Sequence, residues 1–305
     1  DFYAHSLLSE PGDPLNGTYP LTGYLMQNGF GAVGNANYYY GIRRFPKSIM
    51  SSTGGPQNRP FNPLTFADID QTKLNTSDGA FPAMFGAHIS PDADQAHAAG
   101  EVWSSALWEV RAKFIQRLGW ANGNRRVLQL VTDAMKVSPL NPTFLQARDA
   151  IVSVAFGSAT TQAQREDASD VWAGFAIRGM GINASIQNTG GFSGGGTTRV
   201  TESFDRPNLL QVPKFTVSDS QGDNDGIFEP GETLTISAAL TNITGQTANA
   251  VNADIPGATS AGYGTIPDAS TVSRNFTYVV PPNTCGNLIN LTMNVTSSLG
   301  AKTFP

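Results

Sequence analysis

Cysteine is nearly absent from this chain: Cys285 stands alone in 305 residues. That excludes an intramolecular disulfide framework and a thiolate zinc cluster, and it leaves the redox compartment open. Histidine is almost as scarce, with only His5, His88 and His97. No HExxH, paired CxxC, GxSxG or GxxxxGK[ST] string occurs, so the familiar signatures of zinc hydrolases, serine hydrolases and phosphate-cradling loops are missing. No apolar run approaches the roughly 18 residues that a membrane-spanning helix requires. Charge is thin as well, 14% Asp, Glu, Lys and Arg against a usual ~25%. The balance of 19 basic and 24 acidic side chains gives −5. That is too mild for electrostatic steering and of the wrong sign for phosphate backbones, so nucleic acid is not an expected partner.

What the chain has instead is turn chemistry: 32 glycines and 19 prolines. At about 150 residues per domain the length allows one large or two medium domains with real cores. The sequence opens on Asp1-Phe2-Tyr3-Ala4-His5-Ser6-Leu7-Leu8, which reads as the middle of an amphipathic helix without a start signal and suggests a chain cut from something longer. Residues 1–90 are loop-like and rich in Gly, Asn, Pro and Tyr. From Asp92 the texture changes. Val102, Trp103, Ala106, Leu107, Val110, Phe114 and Leu118 recur at three- and four-residue spacing, predicting a helix with one apolar face that stops near Gly119. Further helices are expected at 124–136, 142–156 and 161–179, with Asn141 as the cap before Pro142. A glycine-rich stretch at 188–196 reads as a linker or surface loop. Beyond it, alternating runs at 214–217, 233–240, 249–255, 273–280 and 288–295 predict a small antiparallel β-sandwich. All four tryptophans precede residue 205, so the expected division is 1–205 and 206–305, and the fold class is α+β.

Two places could carry chemistry. His88, Asp92, Asp94 and His97 lie within ten residues, but no further ligand completes a metal site. His97 stands just before the apolar helix with Asp94 and Asp92 three and five residues upstream. Such an imidazole can be oriented, held in its positive form and aimed at developing negative charge. The plain alternative is a histidine hydrogen-bonded at a helix terminus. Glu101, one turn in, could reach across a cleft, though favouring the helix N-terminus is the preferred reading. The second place is the loop bearing Asp219, Asp223, Asp225, Glu229 and Glu232, which holds five of the seven acids beyond residue 205. Crowded carboxylates repel unless a cation neutralises them. Asp223, Asp225, Gly226 and Glu232 fit positions 3, 5, 6 and 12 of a calcium loop, while position 1 would be Gln221. A calcium site and an ion-free acidic turn both remain open. Seven N-x-[ST] sequons, at Asn16, Asn75, Asn183, Asn242, Asn275, Asn290 and Asn294, are compatible with secretion and show little more.

The string HAAGEVWSSALWEVR, beginning at His97, resembles the HAxGEVW...LW(D/E) helix of the fungalysin family, secreted zinc metallopeptidases of the gluzincin type related to thermolysin. Tyr40 to Pro46 with Asn62 to Phe66 resembles that family's GIRxxPYS...NPLTY loop. Asn141 to Ile151 is similar to its NPxFLDARDAIL helix, and Val171 to Gly181 to its WxxFAxRGLG segment. Asp1-Phe2 looks like the tail of GEGWSDF. These segments run collinearly over 1–186. The stretch from Asp219 to Glu232, followed by a Thr-rich strand, resembles the opening of CARDB-like sandwich modules of secreted bacterial proteins.

The resemblance implies a mainly helical C-terminal lobe of a thermolysin-like peptidase, followed by an accessory β-sandwich. In gluzincins two zinc ligands and the general base come from HExxH and the third ligand from the Glu of GEGWSD. All of these would fall upstream of Asp1, so Zn2+ is implied as cofactor with its ligands outside this chain. The missing N-terminal half of the peptidase domain is then the partner, and a protein or peptide the substrate. By the same resemblance Asp1 would support a ligating histidine, and His97 would assist at the oxyanion while a zinc-bound water attacks the peptide carbonyl. Asp92 would orient His97, with Asp94 as runner-up, and Arg43 or Arg44 would bind a substrate carbonyl. For either arginine alone, a surface ion pair is the commoner role. The chain by itself is expected to be inactive. The competing class is a non-catalytic extracellular structural or adhesive module built on a peptidase scaffold.

Overall fold

The computed structural model describes residues 1–22, 41–55, 58–70, 72, 96–157, 161–188, 197–207, 210–282 and 286–304. It is a mixed α+β chain that divides into two compact units, Asp1–Ala155 with Asp170–Arg206, and Phe156–Ser169 with Pro207–Pro305. None of the described helices is long and apolar enough to cross a membrane.

Five α-helices occur among the described residues: α1 (Phe2–Leu8), α2 (Ala96–Leu118), α3 (Trp120–Val137), α4 (Phe144–Phe156) and α5 (Gln162–Ile177). The one-sided apolar face expected of α2 is not what forms. From Ala98 to Phe114 every residue is buried or half-buried, so the helix runs through the interior of its unit. Burial all round obliges its polar positions to find partners. Glu101, Ser105 and Glu109 recur every four residues and make one polar stripe on an otherwise apolar rod. The one-sided pattern belongs to α3, which buries Gly123, Val127, Leu130, Val131 and Ala134. That helix begins four residues earlier than expected because Gly119 adopts φ 76°, a left-handed turn that ends α2 and lets α3 start at once. Gly174 on α5 lies so close to the Val110 backbone that a Cβ there would meet its nitrogen at 2.5 Å. Only glycine permits that crossing.

Helix starts use side chains of the expected type at shifted positions. Thr143, not Asn141, caps α4: its hydroxyl accepts the Gln146 N–H at 3.2 Å, and Gln146 Oε1 accepts the Thr143 N–H at 2.9 Å. Asn141 instead takes φ 53°. Thr161 and Gln164 repeat the reciprocal pair before α5.

The segments 41–55 and 58–70 hold almost no regular structure, only isolated bridges and a 3-10 turn at Phe66–Ile69. Their backbone is satisfied from outside. Arg178, fully buried at the end of α5, donates Nη1 to the carbonyls of Asn62 (2.7 Å) and Leu64 (2.8 Å) and Nη2 to that of Ser48 (2.7 Å). Its charge is matched by Glu109 at 2.7 Å, which also accepts the Met50 N–H at 2.6 Å. A short hairpin of β1 (Ser185–Asn188) and β2 (Thr198–Thr201) completes the first unit.

In the second unit, β3 (Gln211–Ser218), β4 (Thr233–Thr241) and β7 (Thr271–Val279) form one antiparallel sheet in the order β3-β4-β7. A second sheet runs β6-β5-β8-β9, from β5 (Ala248–Asp254), β6 (Ala261–Ile266), β8 (Met293–Ser297) and β9 (Gly300–Phe304). Leu234, Ile236, Ala238 and Leu240 alternate inward on β4 and join Phe276, Val251, Ile266 and Val295 in one core. The alternation missed β6, where Gly262 and Gly264 interrupt the apolar signal, and β9 at Gly300–Phe304, and it misjudged 288–295, where Leu288 is exposed and pairing starts only at Met293. One sequon is structural: Asn242 is fully buried and its amide donates to the carbonyls of Gln246 and Ile266.

Replacing Arg178 by methionine leaves Glu109 buried without its charge partner and should lower the stability of the first unit by roughly 3–5 kcal/mol. All four tryptophans lie in that unit, so urea denaturation followed by tryptophan fluorescence reads it directly. The double variant Arg178→Met, Glu109→Met should recover part of the loss.

Candidate active-site cavity

The first unit has a half-open cavity of about 660 Å3 between α1, α2, α3 and α4. Asp1, Arg43 and His97 all contribute to its lining, three residues that lie 42 and 54 positions apart in the chain. His97 sits in the first turn of α2 and is exposed. Gly100, Ser104 and Leu107 follow it along the same side of the helix and also line the cavity. The walls are apolar, from Trp103, Val131, Phe144 and Ile151 among others.

Arg43 meets Asp1 in a two-point ion pair, Nε to Oδ2 at 2.7 Å and Nη2 to Oδ1 at 2.9 Å. Both side chains are partly shielded from solvent, at 18% and 12% exposed. Such a fork fixes the plane of the guanidinium. Burial pulls the Arg43 pKa down, opposed by the Glu101 carboxylate. Its remaining nitrogen, Nη1, has a long 3.5 Å contact with the Ile42 carbonyl.

Arg44 does something else. It does not line the cavity; it is buried, donates Nε to Glu101 Oε2 at 2.9 Å and Nη2 to the Ala98 carbonyl at 2.9 Å. Glu101 also accepts the Phe45 N–H at 2.7 Å. The preferred reading of Glu101 as a helix N-terminus charge is therefore corrected: it clamps the Arg44 and Phe45 segment onto α2, and Arg44 belongs to that clamp rather than to substrate. The physical reason is desolvation. A carboxylate this deep needs a cation and a backbone donor of its own. Asp92, Asp94 and His88 lie outside the described residues.

Two titratable groups behind the Arg43 pair gave no signal in the sequence beyond a charge inside an apolar stretch. Lys47 is almost fully buried, and its ammonium donates to Ser105 Oγ at 3.2 Å. Burial, together with the charges of Arg178 and Arg43, pushes its pKa down to about 7 against the pull of Glu101. His5 has both ring nitrogens facing backbone carbonyls, Nδ1 to Asp1 at 3.0 Å and Nε2 to Tyr19 at 3.2 Å, with Trp108 against its ring. Burial and the nearby Lys47 lower its pKa to about 4 against the opposing pull of the Tyr19 carbonyl.

In the second unit, Asp219, Asp223 and Asp225 bring one carboxylate oxygen each to within 4.8 Å of one another. Asp219 is buried and also accepts the Gly226 N–H at 2.7 Å. Glu229 and Glu232 are not part of that group; Glu232 Oε2 accepts the Glu229 N–H at 3.1 Å. Among the described residues this is the one group of three or more potential ligands, and the first unit has none.

A family model described as fungalysin metallopeptidase (M36) matches residues 1–184. Among curated relatives, an extracellular metalloproteinase of Neosartorya fischeri is 28% identical over 201 residues, covering 62% of this chain and 25% of that protein. One from Aspergillus fumigatus is 29% identical over the same shares. One from Leptosphaeria maculans is 28% identical over 221 residues, 68% of this chain and 27% of its own length. The chain thus spans about a quarter of the length of the curated relatives it matches.

Lys47 yields a pH prediction with a definite sign. Unfolded, the amine keeps its proton up to pH 10.5; folded, it releases it near 7. Between those values the unfolded chain binds more protons, so the lysine's contribution to stability rises with pH across that window and is flat below it. Lys47→Met should raise stability at pH 7 and flatten the difference curve, measured by urea denaturation at pH 6 to 10. An identical pH slope in both proteins would refute the assignment.

Proposed function

The chain belongs to the fungalysin (M36) family of metallopeptidases, and from that premise we propose that it supplies the substrate-facing wall of a secreted zinc metallopeptidase whose metal ligands lie outside these 305 residues. The observation that supports this reading best is the meeting of His97, Arg43 and Asp1 on one cavity. The residues present do not fit a zinc site of the family's type: the sequence has no HExxH, and the first unit gathers no three potential ligands among its described residues. The family's extracellular relatives support secretion, and protein or peptide is the substrate class.

In this reading the chain's own residues act on the substrate carbonyl. His97 donates a hydrogen bond to the oxygen as it gains negative charge, and Asp92 or Asp94 orients the ring. Arg43, held flat by Asp1, turns Nη1 toward a backbone carbonyl of the substrate. Asp1 is then engaged by Arg43, and any support it gives to a metal-bound histidine must share that carboxylate. Residues 1–205 act as the mainly helical lobe of a thermolysin-like domain and 206–305 as a CARDB-like β-sandwich accessory. The two antiparallel sheets with a common core favour the latter. In the accessory domain Asp219, Asp223 and Asp225 hold a calcium ion, a reading favoured by their convergence.

The 305-residue chain alone should show no proteolysis. A longer polypeptide that includes an HExxH segment should show chelator-sensitive cleavage of casein, reduced 10²–10³-fold in kcat by His97→Ala, in line with the loss of one oxyanion donor. Wild-type rates in the His97 variant would sink the assignment, and a longer polypeptide with no activity at all would favour the structural or adhesive reading. For the calcium site, millimolar calcium should raise the melting temperature of wild type and leave Asp223→Asn, Asp225→Asn unmoved.

A further inference from the structure

The polar stripe on α2 meets three buried cations, Arg44, Lys47 and Arg178, and offers them two carboxylates. Glu101 is taken by Arg44 and the Phe45 N–H, and Glu109 by Arg178 and the Met50 N–H. Lys47 is left with Ser105 Oγ as its hydrogen-bond partner among the described residues. That oxygen gives its own proton to the Glu101 carbonyl at 2.8 Å and also accepts the Asn62 amide at 3.2 Å, so its lone pairs are spent. An ammonium carries three N–H donors and here finds one acceptor. A neutral amine carries one donor fewer and no charge, and at 4% exposure that form is the cheaper one to bury. The charged groups facing Lys47 act the same way on balance. Arg43 on its own segment and Arg178 at the end of α5 oppose its proton, while Glu101 on α2 favours it. From α1, His5 and the amino group of Asp1 are in mutual repulsion with it. Lys47 is also a backbone tie of the segment that bears Arg43, since its N–H and carbonyl are exchanged with those of Tyr19 at 2.9 Å each.

We propose that residues 43–50 form a pH-operated latch: their docking on α2 expels one proton from the Lys47 side chain to solvent, and their release takes one back. The latch stands on the geometry of the stripe alone. Its consequence for catalysis, fuller presentation of Arg43 at the cavity as pH rises, rests on the reading of the cavity as a substrate site. Where the released lysine is protonated and the docked one is not, each pH unit favours the docked form tenfold. That window runs from about 7, the docked value, to 10.5, the value in water. Below it both forms carry the proton, and the balance no longer changes on this account. His5, at about 4, titrates below the window. The Asp1 amino group, lowered from 8.0, is largely neutral in both forms once the pH passes 8, so the range above 8 reports Lys47.

The test is amide hydrogen exchange of the 305-residue chain, which needs no catalysis. The Phe45, Lys47 and Met50 amides, held by Glu101, the Tyr19 carbonyl and Glu109, report opening of the segment. Their rates, divided by those of an unstructured peptide of the same sequence, give the open fraction while reclosing outruns exchange. In wild type that fraction should fall about tenfold per pH unit above pH 8. Lys47→Met should show no such fall, and the amides of α3 should stay protected beyond those of the segment. Without any variant, the Lys47 Cε signal in carbon NMR should titrate near pH 7. An open fraction indifferent to pH in wild type, the same fall in Lys47→Met, α3 amides that open as often as the segment, or a Cε midpoint near 10.5 would each overturn the proposal. A working latch beside a longer polypeptide that never cleaves protein would sink the peptidase reading and leave the latch standing. Chelator-sensitive cleavage beside an open fraction that ignores pH would do the reverse.

Discussion

The first unit depends on a buried polar seam along α2. Glu101, Ser105 and Glu109 face a segment that forms little secondary structure, and that segment cannot satisfy its own backbone. Glu101 takes Arg44 and the Phe45 N–H; Ser105 takes Lys47 and Asn62; Glu109 takes Arg178 and the Met50 N–H. Arg178 then spends its remaining donors on three carbonyls of the same segment. Buried ion pairs of this kind contribute little net stability over a hydrocarbon replacement, but removing one member is costly. Their role here is positional: they fix where Arg43 comes out at the cavity.

That division of labour explains why one helix serves two purposes. The side of α2 bearing Glu101, Ser105 and Glu109 secures the irregular segment, while the side bearing His97, Gly100, Ser104 and Leu107 lines the cavity. Apolar residues between the two, such as Val102, Ala106 and Phe114, join the common core. A helix exposed on one face could not do both, because its outward positions would exchange partners with water. Arg43 and Arg44 show the same logic in two adjacent residues, one reaching the cavity through Asp1 and the other sealed against Glu101.

Local features were legible in the sequence where a short-range rule governs them. Gly119 marked the end of α2, and the apolar spacing marked the helices and β3, β4, β5 and β7. Boundaries failed where a neighbour decided them, as when Thr143 and Gln146 took over the cap from Asn141, or when glycines hid β6. Membership of the family was legible only through motif strings, and the roles of His97 and Arg43 came with that resemblance rather than from spacing. The partners of Glu109, Lys47 and Arg178 were not legible. Which charge meets which is settled by tertiary packing.

The tight junction at Gly119 has a kinetic corollary. Helices α2 and α3 follow one another without an intervening loop, so their mutual contacts close over a short stretch of chain. The bonds of Arg178 to Glu109, Leu64, Asn62 and Ser48 instead span 69, 114, 116 and 130 residues. Loop closure over such separations must precede any reward, so a helical hairpin assembles early and the Arg43 segment docks last. The same segment should be the first to detach on unfolding, taking one wall of the cavity with it while the helical scaffold stays intact.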